Sequence, residues 1–299
     1  MGRVRDRRPR RGAGAGPAAE RRDGDDAVVR IVFPHEEAAG EATALRLWSG
    51  RGGPELLDHD PGTWTLLLRR VRPGHGLEED RDLLERRVED RLAVAGELLG
   101  LLHAAAPSAP GTASARAGTV PGDDGPPSAD GLAPLTASAE RLANLVRERA
   151  QRFGRALDAD PGLVAEAAAL LEELPATAGS AVVLHGDFNP GNLLADDSTG
   201  GPARGSRSTR SRWSATRRST RGPLLSQVGE PFREESVTGA LRARSRIVCA
   251  AAGLDPSRVA AWALARTVES ALWRAAEQGD RAAAAEELAQ ARMWSRLAV

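Results

Sequence analysis

Strand-forming and helix-forming segments are segregated along this 299-residue chain. Apolar and β-branched runs that predict strands lie early, at 27–33, 54–58 and 63–71. A helical pattern over 36–48 separates the first strand from the second. Later apolar residues recur at helical spacing over 83–105, 135–157, 161–174 and at least three segments from 233 onwards. This order predicts an α+β fold, in which a small sheet lobe precedes a larger and mainly helical lobe.

The same patterns divide the chain into three parts. Residues 1–26 are mostly Arg, Gly, Ala and Asp without a hydrophobic period, so we expect them to be disordered. No hairpin able to cover a phosphate is evident in that segment. Residues 27–72 then form the sheet lobe, which is incomplete for that reason, and residues 73–299 form the helical lobe. Within the latter, 107–134 is rich in Pro, Gly, Ala and Ser and predicts a loop.

Composition and charge exclude several classes of function. Arg and Lys together number 41 and balance 41 Asp and Glu, so no global field attracts nucleic acid. No run approaches the roughly 18 apolar residues of a membrane span. The single cysteine, Cys249, lies in an apolar helical run, which predicts a buried structural thiol and fits a reducing cytoplasm. We therefore expect a cytoplasmic monomer that binds a small molecule, without nucleic-acid or membrane partners.

The strongest chemical signal is the polar loop 185–192, with the sequence His-Gly-Asp-Phe-Asn-Pro-Gly-Asn. It lies between two short apolar runs, 181–184 and 192–195, that predict strands. A plain surface hairpin with a Pro-Gly turn is the alternative interpretation, but such a turn does not require His, Asp and Asn together. We therefore interpret the loop as a site.

Phosphoryl transfer to a hydroxyl explains why these residue types stand at this spacing. The reaction needs a carboxylate that accepts a hydrogen bond from the nucleophile, and a second group that holds a divalent metal on the nucleotide phosphates. Asp187 and Asn192 have the Asp-x-x-x-x-Asn spacing of a kinase catalytic loop, in which Asp is the base and Asn binds the metal. The Pro190-Gly191 turn brings Asn192 back towards Asp187, and His185 braces the loop from behind.

The segment from Val182 to Leu194 resembles the His-Gly-Asp-x-x-x-x-Asn signature of the aminoglycoside phosphotransferase family. Further segments are similar to its streptomycin and hydroxyurea kinase branch, so the resemblance covers about 27–105, 160–197 and 223–299. It implies a two-lobed fold like that of protein kinases, with ATP and Mg²⁺ as cofactors. It also implies catalytic roles for Asp187 and His185 and a metal-binding role for Asn192.

The resemblance also implies a cofactor-binding pair in the first lobe. In the family a strand carries a lysine, and a glutamate on the next helix pairs with that lysine. Glu41 matches the glutamate, and Arg30 stands where the lysine is expected, in a chain that has no lysine. Arg keeps the positive charge and can grip phosphate, although its planar fork differs from an ammonium group. The run 66–74 resembles the hinge that holds the adenine by backbone groups.

One element of the family pattern is missing from the sequence. The second metal ligand of the family is an Asp at the end of the strand that follows Leu194. Residues 198–229 contain neither Asp nor Glu, and 200–222 is instead an atypical segment rich in Arg, Ser and Thr. That segment has three interpretations: a basic arm for nucleic acid or anionic lipid, a solvated disordered insert, or a stretch translated out of frame.

The out-of-frame interpretation is the one we favour. When 205–222 is back-translated with GC-rich codons and read two bases along, the product contains Leu-Ala-Ile-Asp-Pro, which resembles the family's metal-ligand strand. The missing Asp then falls across the junction of Ser208 and Thr209. If the written sequence is correct, the chain is instead a kinase-like binding protein with impaired catalysis.

The sequence thus predicts an ATP-dependent kinase of the antibiotic-resistance type. Its acceptor is a hydroxyl of a streptomycin-like aminoglycoside or a similar small polar molecule. A cationic acceptor needs acidic groups in its cleft, and the region after residue 223 supplies candidates, namely Glu230, Glu234 and Glu235. The last alternative is a module that binds nucleic acid or a membrane surface through the Arg-rich segment.

Overall fold

A computed structural model defines the architecture of most of the chain. It describes residues 18–20, 26–32, 39–49, 51–79, 87–105, 132–179, 182–196, 212–215 and 224–298. The described residues form an antiparallel sheet near the N-terminus and a larger, mostly helical part, as the segregation of strand and helix patterns predicts.

The first sheet contains four antiparallel strands in the order β1-β2-β4-β3. These strands are β1 (Ala18–Glu20), β2 (Asp26–Ile31), β3 (Leu56–Asp60) and β4 (Thr65–Arg69). The predicted runs 27–33, 54–58 and 63–71 are therefore confirmed as strands, with shifts of a few residues at their ends. In the register of the sheet, Arg30 on β2 lies opposite Leu66 on β4.

Strand β1 corrects the expectation for the N-terminal segment. Residues 18–20 pair antiparallel with β2, with Ala18 opposite Val28 and Glu20 opposite Asp26. The expectation of disorder is wrong for these three residues, and two consecutive antiparallel strands do precede the rest of the sheet. Ala-rich sequence gives little strand propensity by itself, so the pairing with the Val-rich β2 is what defines this strand. The remainder of that segment lies outside the described residues, except Asp26, which begins β2.

Helix α1 (Glu41–Trp48) joins the sheet to the helical part through its two faces. Ala42 and Leu45, three residues apart, pack on Leu66 and Leu68 of β4 in a small apolar cluster. The opposite face, which includes Leu47 and Trp48, belongs to the main hydrophobic core. The eight-residue helix is therefore held from both sides, although it has no side-chain N-cap.

The second sheet has three antiparallel strands and supports the polar loop. They are β5 (Pro73–Gly76), β6 (Leu193–Asp196) and β7 (Arg212–Ala215), in that order. Residues 70–72 connect β4 of the first sheet to β5 of the second. Strand β7 lies inside the Arg-rich segment, so the alternative of a wholly disordered insert is wrong for these four residues.

The helices of the larger part surround one extended core. They are α2 (Val88–Ala104), α3 (Leu135–Phe153), α4 (Pro161–Ala176), the short α5 (Leu224–Gln227), α6 (Val237–Ala252), α7 (Pro256–Trp273) and α8 (Arg281–Ser295). A 3₁₀ turn at Gly154–Leu157 extends α3, and a π turn at Arg274–Gln278 extends α7.

The helix boundaries follow from capping chemistry that the sequence displays. Asp160 accepts a hydrogen bond from the Gly162 amide at 2.8 Å, and Pro161 occupies the first turn of α4. Asp255 caps α7 in the same way, and Gly253, at a φ of 69°, ends α6. An Asp cap followed by Pro therefore marks the start of both α4 and α7.

One predicted strand is wrong. Residues 182–185, where a strand over 181–184 was expected, are extended but pair with no strand among the described residues. Val183 and His185 are buried and Val182 and Leu184 exposed, so the alternation of a strand is present without its backbone ladder. The segment is fixed by side-chain packing instead. Likewise, the run 192–195 begins in a 3₁₀ turn at Pro190–Asn192, and the strand starts at Leu193.

Within the described part of the chain, no single helix is both long and apolar enough to cross a membrane. Val237–Ala252 and Pro256–Gln278 meet the length and composition criteria only as a pair, and the two are bent by 117° to each other.

Candidate active site

Both oxygens of the Asp187 carboxylate accept hydrogen bonds from side-chain amides. Asn192 Nδ2 donates to Asp187 Oδ2 at 3.0 Å and to the Asp187 carbonyl at 2.7 Å. Asn189 Nδ2 donates to Asp187 Oδ1 at 2.8 Å and to the same carbonyl at 3.3 Å. The carboxylate is half-buried, whereas both asparagines are buried. The expected approach of Asn192 to Asp187 is confirmed, and the orientation of the carboxylate is fixed from two sides.

The turn that creates this arrangement is encoded locally. Pro190 presets the backbone for the 3₁₀ turn Pro190–Asn192, and the Asn192 amide closes it on the Asn189 carbonyl at 3.0 Å. The Asn189 side chain caps the turn by accepting from the Gly191 amide at 3.0 Å. Gly186 adopts a φ of 76°, which few other residues tolerate, just before Asp187.

Strand β5 docks the turn onto the rest of the protein. The Leu77 amide, next to the end of β5, donates to the Pro190 carbonyl at 3.1 Å. The Gly76 amide donates to Glu79 Oε2 at 3.2 Å, so the exposed Glu79 lies beside this docking point. An acidic group therefore stands close to the polar loop.

His185 is buried behind the loop and lies between two aromatic rings. Its imidazole stacks on the indole of Trp48, with centroids 5.6 Å apart and planes at 18°. It meets the Phe188 ring edge to face, also with centroids 5.6 Å apart. These contacts agree with the expected bracing position, and they connect the loop to the last residue of α1.

The predicted pair in the first sheet is also formed. Arg30 Nη1 of β2 lies 2.5 Å from Glu41 Oε1, the first residue of α1. The Glu41 side chain is 5% exposed and that of Arg30 is 26% exposed. A carboxylate buried to this extent requires a cation or hydrogen-bond donors, so Glu41 holds the arginine in place. The Arg30 side chain is the more exposed partner of this pair.

The loop residues fit a magnesium ion that a nucleotide also holds. Mg²⁺ takes oxygen ligands and is usually bound through one or two carboxylates together with phosphate oxygens and water. Asp187 and Asn192 supply a carboxylate and an amide in direct contact. Among the described residues, no group of three or more His, Cys, Asp or Glu is placed to hold a metal. The arrangement therefore suits a metal that arrives with phosphates.

Strand β7 brings part of the Arg-rich segment next to the polar loop. Its last residue, Ala215, pairs with Leu193, the neighbour of Asn192. The chain then continues as Thr216-Arg217-Arg218 and contains no carboxylate before Glu230. The end of β7 thus lies beside the loop, whereas the junction of Ser208 and Thr209, where the out-of-frame interpretation puts the Asp, precedes β7 and lies outside the described residues.

The remaining candidates are exposed, already paired or buried. Glu230 binds Arg233 at 2.7 Å, and Glu234 and Glu235 are exposed. Burial raises the pKa of Cys249 to about 11. That thiol is 2% exposed, so the expected structural role is confirmed.

Sequence reasoning missed two residues that shape the site. Asn189 lies within the loop, two residues from Asp187. An Asn side chain can bond backbone groups two residues away, so this spacing indicates a cap on the turn. Trp48 gave no such signal, because its partner His185 is distant in sequence.

Known proteins of similar sequence are phosphotransferases. Residues 10–205 match the family described as "APH: Phosphotransferase enzyme family". A hydroxyurea phosphotransferase from Kitasatospora aureofaciens is 32% identical over 91% of this chain and 68% of its own length. A streptomycin 6-kinase from Streptomyces glaucescens is 32% identical over 85% of this chain and 72% of its own length.

A likeness to a solved structure concerns the fold. The crystal structure of a choline/ethanolamine kinase family protein from Mesorhizobium loti superposes with a TM-score of 0.51 at 18% identity. The superposition covers 94% of this chain and 89% of that one. The kinase-like fold predicted from the sequence is thereby confirmed.

Proposed function

Because the chain belongs to the APH phosphotransferase enzyme family, we propose that it transfers the γ-phosphoryl group of ATP to a hydroxyl of a small cationic molecule. The class of acceptor is that of streptomycin, an aminoglycoside. Two similar curated proteins are named for streptomycin and hydroxyurea, which supports a small polar acceptor. The reaction would belong to the antibiotic-resistance type.

The observation that carries the proposal is the hydrogen bonding of Asp187. A carboxylate whose two oxygens are held by Asn189 and Asn192 has a fixed direction. Held in this way, Asp187 accepts a hydrogen bond from the acceptor hydroxyl and takes its proton as the new phosphorus–oxygen bond forms and the bond from the γ-phosphorus to the departing ADP breaks. His185 is the catalytic-loop residue that holds the backbone before Asp187 through its ring contacts.

Arg30, Glu41 and Asn192 are assigned to the nucleotide and its metal. Glu41 orients Arg30, and the guanidinium binds phosphate oxygens with charge-assisted hydrogen bonds. Asn192, with Asp187 beside it, would hold Mg²⁺ on the phosphates. When bound, Mg²⁺ neutralises charge that develops on the transferred phosphoryl group.

The division into lobes follows from these assignments. Residues 27–72 contain the Arg30–Glu41 pair and form the nucleotide-binding lobe, and 73–299 form the catalytic and substrate lobe. Residues 70–72 join the two sheets and act as the hinge that holds the adenine. The exposed Glu79, next to the docked loop, gives the acceptor cleft an acidic group for a cationic substrate. We assign the protein to the cytoplasm as a monomer.

The experiment that tests the proposal is phosphoryl transfer by the purified full chain. The protein is incubated with ATP labelled on the γ-phosphate, Mg²⁺, and either streptomycin or hydroxyurea, and the acceptor is analysed by mass spectrometry. We expect one acceptor to gain a single phosphoryl group, and we expect chelation of Mg²⁺ to abolish the gain.

Two outcomes would contradict the proposal in different ways. Calorimetry that detects ATP binding without transfer to any acceptor would identify a kinase-like binding protein, consistent with the missing second metal ligand. Binding that is restricted to DNA, falls steeply with salt and requires 204–221 would instead indicate the nucleic-acid alternative.

A further inference from the structure

We propose that Asn189 is a positioning residue for the Asp187 carboxylate. Its amide nitrogen fixes one oxygen of Asp187, while its amide oxygen holds the turn that carries Asn192. The inference rests on the proposed function, since it concerns the group assigned as the base. It assigns a role to a position that the His-Gly-Asp-x-x-x-x-Asn signature leaves unspecified.

The polarity of the Asn189 amide is fixed by its two neighbours. The Gly191 N–H can only donate, so the atom facing it at 3.0 Å is the side-chain oxygen. The ionised Asp187 carboxylate can only accept, so the atom facing it at 2.8 Å is the nitrogen. A planar amide satisfies both demands at once, and Asn has the length to do so within the turn.

The two asparagines act on different oxygens of the same carboxylate. Asn189 binds Oδ1 and Asn192 binds Oδ2, so rotation about the Cβ–Cγ bond of Asp187 would break both hydrogen bonds. In the proposed function Asn192 also holds the metal, so Asn189 is the donor devoted to the carboxylate. The Asn189 side chain is 7% exposed, which strengthens a hydrogen bond to an anion.

If Asn189 only stabilised the turn, a different property of its side chain would be required. To cap the 3₁₀ turn, the side chain needs only an acceptor for the Gly191 N–H. Aspartate has the same shape and keeps that acceptor, but it cannot donate to Asp187 and brings a second negative charge against it. Asn189→Asp therefore separates the two roles, whereas Asn189→Ala removes both.

The test compares Asn189→Asp with Asn144→Asp, the same change at an exposed site on α3. Melting temperature, kcat and KM for ATP are measured for both variants and the wild type. We expect Asn189→Asp to melt below the wild type, because a second carboxylate then faces Asp187, and to keep its KM for ATP, with kcat reduced about 100-fold. Asn144→Asp leaves all three unchanged. An Asn189→Asp variant with the kcat of the Asn144→Asp control would overturn the proposal.

A second measurement does not depend on turnover. In amide spectra of nitrogen-labelled protein, the side-chain NH₂ resonance of Asn189 is followed in the wild type and in Asp187→Asn. A shift of that resonance is expected, and its absence would show that the two side chains do not interact. If the wild type transfers no phosphoryl group but the shift is present, the proposed function fails while the contact stands.

Discussion

The indole ring of Trp48 stacks on the imidazole of His185, at a centroid distance of 5.6 Å. Trp48 is the last residue of α1, and Glu41, which binds Arg30, is the first. The helix therefore holds Arg30 of β2 through Glu41 at one end and supports the catalytic loop through Trp48 at the other, about 10 Å away along its axis. One short helix sets the positions of both groups.

Removal of the Trp48 ring is expected to impair catalysis beyond its effect on stability. Trp48→Leu keeps an apolar residue in the core but removes the surface on which His185 stacks. We expect kcat to fall about tenfold or more, because the loop that holds Asp187 loses its support. Trp294→Leu is the matched control, since Trp294 is also buried in the main core but lies on α8. Equal kcat values for the two variants would contradict a link between α1 and the loop.

Arg30 is expected to tolerate lysine but not a neutral side chain. Arg30→Lys keeps a cation for Glu41 and for the phosphates, so KM for ATP should stay within about threefold of the wild type. Arg30→Met leaves the buried Glu41 without its cation and should raise KM for ATP about tenfold or more.

The control for Arg30 is an arginine outside the first sheet. Arg147→Met on α3 removes an exposed ion pair to Glu172 at 2.7 Å, and such pairs contribute about 0–1 kcal/mol. It should leave KM for ATP unchanged. Steady-state kinetics with varied ATP measure KM for both Arg30 variants and the control. A wild-type KM for ATP in Arg30→Met would show that Arg30 does not bind the nucleotide.

Packing of α2 against α6 gives a prediction for stability alone. A Cβ atom on Gly96 would lie 2.8 Å from Ala251 Cβ and 2.9 Å from the Val248 carbonyl oxygen. Gly96→Ala should therefore lower the free energy of unfolding by about 1–3 kcal/mol. On Gly100, one turn later, the nearest atoms are 3.4 Å away, so Gly100→Ala should be neutral or gain up to about 1 kcal/mol of helix propensity. Urea unfolding of both variants measures the difference.

The Arg-rich segment gives a prediction about the gene. We expect resequencing across codons 198–225 to find two compensating insertions or deletions that restore an Asp near position 209. The restored chain would then have a carboxylate to complete the metal site, and the strand now written as Arg212–Ala215 would carry a different sequence. The match to the family ends at residue 205, at the edge of the proposed shift. An unchanged sequence would instead favour the non-catalytic alternative.

The sequence was most informative where interactions are local. The hydrogen bonds that join Asp187, Asn189 and Asn192 span five residues or fewer. Spacing and the Pro-Gly turn were enough to predict the contact between Asp187 and Asn192, but not the part that Asn189 plays. The Asp caps that begin α4 and α7 are local in the same way.

The predictions from sequence that were wrong depend on interactions between distant segments. Residues 182–185 had the alternation of a strand, but His185 is fixed by Trp48 rather than by a neighbouring strand. Strand β1 exists because of its pairing with β2, and its own Ala-rich sequence predicts little. In both cases the deciding partner cannot be identified from the pattern of the segment itself.

The role of Asp187 is the central claim, and its amide isostere tests it most directly. Asp187→Asn retains the size of the side chain but removes the negative charge that accepts the hydroxyl proton. With the acceptor that the wild type phosphorylates, the account predicts loss of phosphoryl transfer by about 100-fold or more, with ATP binding retained in calorimetry. Transfer by Asp187→Asn at the wild-type rate would contradict the account and remove Asp187 from the mechanism.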